Sequence, residues 1–271
     1  MAGDLSLADW LGFHARSALF TLRRGQQTRD TTAVLDEYTS GWDQYRAFLQ
    51  KATRLSDWMR IGGLEDLPSF YSVDGKLSYE AFDSADYYRR TLLDCIRRHF
   101  PGVRSVTEFG CGVGRNLLFL KREQPDLQCF GYELCQPGVD VATAAAAKFA
   151  LDVRYSQLDY VNDGPEKYVF PATDIAFTMF SLEQLPRSND VAVKNILGRT
   201  VLGSIHMEPV PENYPLSVRG VLGRIEHRKV DYLSGFDAVV RSLGLPGVIL
   251  ERMSSAHNPL MFPSLYILKK G

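Results

Sequence analysis

The chain has 271 residues, of which 45% are hydrophobic and 23% are charged, a composition typical of a folded globular protein. Its 31 Lys and Arg residues nearly balance 32 Asp and Glu residues, so no basic excess is present to hold a nucleic-acid backbone. The four cysteines form no CxxC pair and no metal-ligand cluster, which argues against a zinc site or a disulfide framework. No apolar run reaches the ~18 residues of a membrane span, and no basic signal-peptide region opens the chain, so we expect a cytoplasmic protein.

The predicted elements divide the chain into two regions. Residues 1–99 have a mainly helical pattern, with a loop at 61–76 and a helix at 78–100. In residues 100–271, short apolar runs alternate with helical stretches, as in a parallel sheet covered by helices. The predicted strands are 103–109, 128–134, 153–158, 174–180, 200–207, 248–254 and 265–268, and the predicted helices are 114–123, 139–149, 190–197 and 232–243. We therefore predict an α/β fold: a seven-stranded, Rossmann-like sheet, mostly parallel with an antiparallel last strand, between two layers of helices, with a helical N-terminal cap.

A glycine-rich turn follows the first predicted strand of the sheet. Gly110, Gly112 and Gly114 alternate with other residues and lead into a helix, so the backbone can turn sharply and a ligand can approach it closely. Such a turn suits either a dinucleotide or S-adenosylmethionine. A dinucleotide site favours a further glycine or alanine where Arg115 stands, and the acidic Glu108 suits an amino group better than a phosphate.

The segment Glu108-Phe109-Gly110-Cys111-Gly112-Val113-Gly114 resembles the first motif of class I S-adenosylmethionine-dependent methyltransferases. The segment 177–186, Phe-Thr-Met-Phe-Ser-Leu-Glu-Gln-Leu-Pro, resembles the family's fourth-strand motif, except that Gln184 replaces the usual histidine. The resemblance covers residues 100–271 and implies that the acidic Glu133 binds the ribose hydroxyls and that Asp159 contacts the adenine. The cofactor-binding residues expected from it are Glu108, Gly110, Cys111, Gly112, Gly114, Asn116, Glu133, Leu134, Asp159, Tyr160, Phe180 and Ser181.

The acceptor side of the site offers fewer signals. A hydroxyl acceptor must lose a proton, so a base is expected near the carboxyl ends of the strands. His206 and Glu208 lie two residues apart on the fifth strand and share one face, which makes them the candidate catalytic pair, with a hydrogen-bonded core histidine as the alternative. Further candidates for contact with the acceptor are Tyr87, Arg90, His227 and His257.

Together these features predict methyl transfer from S-adenosylmethionine, with S-adenosylhomocysteine as product, to a small molecule, most simply a hydroxyl of a natural product or sugar-like compound. Residues 1–99 would form the cap that selects the acceptor. An N-methyltransferase of a small molecule or peptide, a cofactor-binding protein without transfer activity and a nicotinamide-dependent oxidoreductase remain alternatives. Neither nucleic acid, membrane nor metal is expected as a partner, and a homodimer is left open.

Overall fold

The computed structural model describes residues 5–60 and 67–271. The region before residue 100 is mainly helical, with one small two-stranded sheet. Its elements are α1 (Leu7–Arg23), α2 (Thr31–Lys51), α3 (Leu55–Met59), β1 (Ser69–Val73), β2 (Lys76–Glu80) and α4 (Ser84–His99). Side-chain caps begin two of these helices: Ser6 accepts a hydrogen bond from the amide of Asp9, and Asp83 accepts one from the amide of Asp86.

The hairpin β1–β2 corrects the predicted loop at 61–76 and the predicted start of the long helix at residue 78. Strands β1 and β2 pair antiparallel around Asp74 and Gly75, whose φ angles of 47° and 77° fit a two-residue hairpin turn. The helix α4 begins only at Ser84, after the hairpin ends. Residues 61–66 of the predicted loop lie outside the described residues.

The region after residue 100 contains the predicted seven-stranded sheet. Its strands are β3 (Ser105–Phe109), β4 (Gln128–Glu133), β5 (Val153–Gln157), β6 (Thr173–Met179), β7 (Thr200–Pro209), β8 (Gly247–Arg252) and β9 (Pro263–Lys269). Their order across the sheet is β5-β4-β3-β6-β7-β9-β8. The first five of these are joined by parallel pairings, and β9 lies antiparallel between β7 and β8. The predicted fold class is confirmed, including the antiparallel last strand.

Helices cover both faces of this sheet and divide its core into two clusters. They are α5 (Arg115–Glu123), α6 (Gln136–Lys148), α7 (Asn189–Gly198), α8 (Val218–Lys229) and α9 (Phe236–Ser242). One cluster joins α4, α5 and α6 to the sheet side chains that include Ile205 and Met207. The other joins α7 and α9 to the opposite face, which includes Tyr266 and Leu268. Because α4 shares its cluster with the sheet, the cap region packs directly on the larger region.

Candidate functional site

A cavity of about 420 Å³ opens at the carboxyl ends of β3, β4, β5 and β6. This is the place where the connections from β3 and β6 leave toward opposite sides, the position at which open α/β sheets bind ligands. The loops after these four strands form its floor, while side chains from α2 and α4 form its cover. The lining side chains contributed by the two cap helices are Val34, Tyr38, Trp42, Tyr45, Ala85 and Arg89.

The turn after β3 requires glycine because of its backbone angles and because neighbouring side chains lie close to it. Gly110, Gly112 and Gly114 have φ angles of 75°, 53° and 78°, in the left-handed region that other residues rarely adopt. A Cβ atom on Gly110 would lie 1.9 Å from the Oγ atom of Ser181, which also lines the cavity. A Cβ atom on Gly114 would lie 2.5 Å from the hydroxyl of Tyr155. The turn therefore keeps the backbone close to whatever the cavity binds.

Glu133, the last residue of β4, lies beside this turn. Its carboxylate accepts hydrogen bonds from the backbone amides of Gly112 (2.8 Å) and Cys135 (3.1 Å). The side chain is buried and lines the cavity. Burial raises the pKa of this carboxyl, while the two amide hydrogen bonds oppose that rise. A carboxylate so fixed can accept further hydrogen bonds from a ligand without moving.

Glu108 lies below the cavity rather than on its wall. Its Oε1 atom accepts a hydrogen bond of 2.7 Å from the side-chain amide of Asn116, which does line the cavity. Its Oε2 atom has no hydrogen-bond partner although it is buried. Burial raises the pKa of Glu108 to about 8. Glu108, a predicted cofactor contact, therefore does not reach the cavity but holds the side-chain amide of Asn116, which does.

The residues after β5 also border the cavity. Asp159 accepts hydrogen bonds from the backbone amides of Val161 and Asn162, both at 3.0 Å, so its carboxylate closes a local turn. The hydroxyl of Tyr160 is 2.9 Å from the Oγ atom of Ser181 and joins the β5 and β6 loops. Ten of the twelve expected cofactor-binding residues line this one cavity; Glu108 and Gly114 are the two that do not.

The structure places His206, the predicted catalytic base, in the core and not on the cavity wall. His206 is completely buried, and its ring nitrogens lie 3.0 Å from the hydroxyl of Thr178 and 2.8 Å from that of Ser204. Its ring packs edge-on against Phe236 of α9, and it does not line the cavity. Burial lowers the pKa of His206 to about 3, so the ring stays neutral. His206 is a hydrogen-bonded core residue, the alternative that the sequence left open.

Glu208 also lies outside the cavity wall and positions the loop that follows β6. Its buried carboxylate accepts hydrogen bonds of 3.1 Å from the backbone amides of Ser181, Leu182 and Glu183. Burial raises the pKa of Glu208 to about 7, although these hydrogen bonds oppose the rise. Glu208, the predicted partner of His206 in catalysis, thus lies away from the cavity and fixes a segment that does border it.

Two candidates on α4 also lie away from the cavity. Arg90 is exposed and forms an ion pair with Asp86 one turn earlier on the same helix. Tyr87 is half-buried, with its hydroxyl 3.5 Å from that of Ser254. The arginine of α4 that lines the cavity is Arg89, which is buried. Adjacent positions on a helix point in different directions, so only one of the two arginines can face inward.

The other two candidate histidines are held by protein groups. His227 is buried on α8, and its Nε2 atom is 2.6 Å from the backbone oxygen of Leu233. His257 lies with its Nδ1 atom 3.0 Å from the hydroxyl of Tyr88 and its ring against Phe180. Neither histidine lines the cavity, although Phe180 does. The structure therefore does not bring His227, a predicted acceptor contact, to the cavity, and His257 packs behind Phe180 of the wall.

Two groups on the cavity wall were not expected as site residues. Tyr38, Trp42 and Tyr45 repeat at helical spacing along α2 and place three aromatic rings in a row on the cavity wall. The ring of Trp42 lies at the glycine turn, where a Cβ atom on Gly112 would be 3.1 Å from it. This spacing is visible in the sequence, but nothing there shows which helix covers the cavity. Glu183, in the short 3-10 helix Leu182–Gln184, is buried and lines the cavity.

Within the described ranges, 5–60 and 67–271, no helix is long and apolar enough to cross a membrane. In the same ranges, no three His, Cys, Asp or Glu side chains are grouped as they would be to hold a metal ion. The four cysteines are buried and free.

No family sequence model matches the chain, and no curated protein sequence matches it significantly. Solved structures do match. A magnesium protoporphyrin IX methyltransferase from Synechocystis PCC 6803 with bound SAH is 15% identical, with a TM-score of 0.57 over 89% of this chain and 100% of that one. A plantazolicin methyltransferase bound to SAH and a desmethyl analogue is 10% identical, with a TM-score of 0.51 over 68% of this chain and 84% of that one.

An O-methyltransferase family protein from Burkholderia thailandensis is similar to the same degree. It is 15% identical, with a TM-score of 0.52 over 70% of this chain and 60% of that one. At these identities the likeness establishes the fold alone. The chain has the fold that the sequence motifs predict, that of class I S-adenosylmethionine-dependent methyltransferases.

Proposed function

We propose that this chain, which has the class I methyltransferase fold, transfers a methyl group from S-adenosylmethionine to a hydroxyl of a small molecule. One observation carries the proposal: the glycine turn after β3 and the carboxylate of Glu133 at the tip of β4 border one cavity. The similar solved structures support the proposal, because those proteins are methyltransferases with bound SAH or SAM.

The residues around the cavity fit the parts of this cofactor. Glu133 would hold the ribose hydroxyls, since its carboxylate is fixed by two backbone amides and retains acceptor capacity. Asp159 and Tyr160 would border the adenine at the end of β5. Asn116, whose side-chain amide is oriented by Glu108, would contact the methionine part. When bound, the cofactor supplies a methyl group made electrophilic by its positively charged sulfur.

Helices α2 and α4 of the N-terminal cap, residues 1–99, cover the cavity. The rings of Tyr38, Trp42 and Tyr45 line the cavity, and aromatic faces attract a sulfonium cation. Residues 1–99 would thereby exclude water from the reacting atoms and shape the acceptor pocket. A cavity of about 420 Å³ is at the small end of ligand pockets, which favours a small acceptor. The formal net charge of -1 argues against nucleic acid as acceptor.

An amine of a small molecule or peptide is the alternative acceptor. A neutral amine needs no base, and none of the three histidines proposed for the acceptor side lines the cavity. We further propose a location in the cytoplasm, because the four cysteines are free.

The experiment is transfer of a labelled methyl group. The purified protein is incubated with methyl-labelled S-adenosylmethionine and a cell extract, and labelled products are separated by size and identified by mass spectrometry. We expect a small labelled product with the label on oxygen. Label on nitrogen would favour the amine alternative, and label confined to nucleic acid or protein would contradict a small acceptor. Binding of S-adenosylhomocysteine without any transfer would favour a cofactor-binding protein.

A further inference from the structure

Glu183 lies on the cavity wall with an unsatisfied carboxyl group. The residue is 7% exposed, and its Oε2 atom is buried without a hydrogen-bond partner. Its backbone is fixed on both sides, because its amide donates to Glu208 (3.1 Å) and its carbonyl accepts from the amide of Leu233 (2.9 Å). A buried carboxyl oxygen without a partner is costly, and a hydrogen bond from a group bound in the adjacent cavity would satisfy it.

The second carboxyl oxygen of Glu183 is held by a relay from the cap. The side-chain amide of Gln184 donates to Oε1 of Glu183 at 2.8 Å. The guanidinium of Arg29 donates in turn to the side-chain oxygen of Gln184. Gln184 stands where the related motif has histidine, and here it links a buried arginine to the carboxyl group. The relay orients Glu183 through Oε1 and leaves Oε2 without a hydrogen-bond partner.

In Glu133 and Asp159, the other carboxylates on the cavity wall, each oxygen already accepts at least one hydrogen bond from the protein. Both oxygens of Glu133 accept backbone hydrogen bonds next to the glycine turn. Both oxygens of Asp159 accept hydrogen bonds within its own turn or from Asn162. Among the described residues that line the cavity, Glu183 alone has a carboxyl oxygen without a partner.

The surroundings of Glu183 favour the protonated form of its carboxyl group when the cavity is empty. Burial first, and then the nearby charge of Glu208, raise its pKa well above the usual range of a carboxyl, and the effects of Gln184 and Arg29 oppose them. Several titratable groups on the surrounding elements interact electrostatically with Glu183. They are Arg29, Glu37, Tyr38, Tyr88, Glu208, Tyr214 and Tyr232. A positive charge in the cavity favours the ionised carboxylate, so binding of a sulfonium prepares the base.

We propose that Glu183 is the acceptor-side base: its Oε2 atom accepts a hydrogen bond from the acceptor hydroxyl and then takes its proton. This inference rests on the proposed function. The acceptor O–H bond breaks and its proton goes to Oε2 of Glu183, while the oxygen forms the new bond to the methyl carbon. The bond between methyl and sulfur breaks with its electron pair remaining on sulfur, which gives a neutral thioether, a methyl ether and a protonated Glu183.

The test compares wild type with Glu183→Gln, which keeps the shape and the hydrogen bond to Gln184 but cannot take a proton. Glu251→Gln, in which the altered carboxyl pairs with Arg98 on the outer strand β8, is the matched control. Two quantities are measured: the affinity for S-adenosylhomocysteine by calorimetry, and the rate of labelled methyl transfer to the cell extract as a function of pH. An infrared difference spectrum between wild type and Glu183→Gln, taken on the S-adenosylhomocysteine complex, gives a readout that does not depend on activity.

We expect Glu183→Gln to bind S-adenosylhomocysteine as wild type does and to transfer methyl about a hundredfold more slowly. The wild-type rate should rise with pH as Glu183 ionises, and the variant should lose that dependence. The infrared spectrum should show a carboxyl band that titrates above the usual carboxyl range. An unchanged rate and pH profile in the variant would overturn the inference and leave the proposed function standing.

No transfer by wild type would instead refute the proposed function, and this inference with it. Should Glu183→Gln lose cofactor binding, Glu183→Asp is measured, because it retains a base. We expect Glu183→Asp to bind S-adenosylhomocysteine and to keep part of the pH-dependent rate. Loss of binding in both variants would assign Glu183 a structural role and overturn the inference.

Discussion

Replacing Glu133 by alanine tests the ribose site directly. In the structure, the Glu133 carboxylate accepts hydrogen bonds from the backbone amides of Gly112 (2.8 Å) and Cys135 (3.1 Å). The variant would remove the hydrogen bonds expected to the ribose hydroxyls. It would also leave these two amides without their carboxylate partner, so the glycine turn would be less well ordered before the ligand binds.

The expected magnitude follows from the number and kind of these interactions. Losing hydrogen bonds to a charged group costs about 1–3 kcal/mol. In the affinity for S-adenosylhomocysteine, this corresponds to a Kd raised roughly 5- to 150-fold, since 1.4 kcal/mol is a factor of ten.

The assay is isothermal titration of wild type and Glu133→Ala with S-adenosylhomocysteine, after circular dichroism has shown that both are folded. Glu251→Ala is the control, because Glu251 lies on the outer strand β8 and pairs with His99 and Arg98 outside the cavity. We expect the control to bind as wild type does. An unchanged Kd in folded Glu133→Ala would refute the placement of the ribose.

Three further predictions follow from the same contacts. His206→Asn should lower the free energy of unfolding by about 1–3 kcal/mol in urea denaturation while folded protein keeps its kcat; a large loss of kcat would restore a catalytic role. Gly110→Ala should abolish cofactor binding in calorimetry, because its Cβ would overlap a facing serine, whereas Gly75→Ala, at a similar φ but in open space, should bind normally; equal binding by both would contradict the close approach. Since the folded-state pKa values of Glu108 and Glu208 are raised to about 8 and 7, the native state holds protons that the unfolded state releases. The free energy of unfolding should therefore fall as the pH rises from about 4.5, the ordinary pKa of glutamate, to about 8, by at most about 1.4 kcal/mol per pH unit and proton. It should fall less in Glu108→Gln, and an equal fall in both proteins in thermal denaturation across this pH range would argue against this.

The sheet was predictable because its strands carry their own signals. Apolar runs of strand length, separated by helical stretches, fixed the fold class without any knowledge of long-range contacts. The hairpin β1–β2 is not predicted, although Asp74-Gly75 is a favoured hairpin turn, because the sequence that flanks it has a helical pattern. Helix α8 was missed because Gly220 and Gly223 interrupt its pattern. Cβ atoms there would lie 2.0 Å and 2.1 Å from backbone oxygens of neighbouring segments, so close packing requires these glycines.

The site was predictable where chain position alone determines location. Gly110 and Glu133 follow parallel strands, and the carboxyl ends of such strands meet at one edge of the sheet. His206 and Glu208 do share a strand face, as predicted, but α9 covers that face, and the parity of a strand does not tell which face is covered. The contribution of Tyr38 depends on how a distant helix packs, which local sequence does not encode.

The most direct test of the account is calorimetric titration of the purified protein with S-adenosylhomocysteine and, separately, with NADH. We predict one S-adenosylhomocysteine bound per chain and no binding of NADH, since the glycine turn and Glu133 border a cavity suited to an adenosyl group and its ribose. Binding of NADH without binding of S-adenosylhomocysteine would contradict the account at its centre.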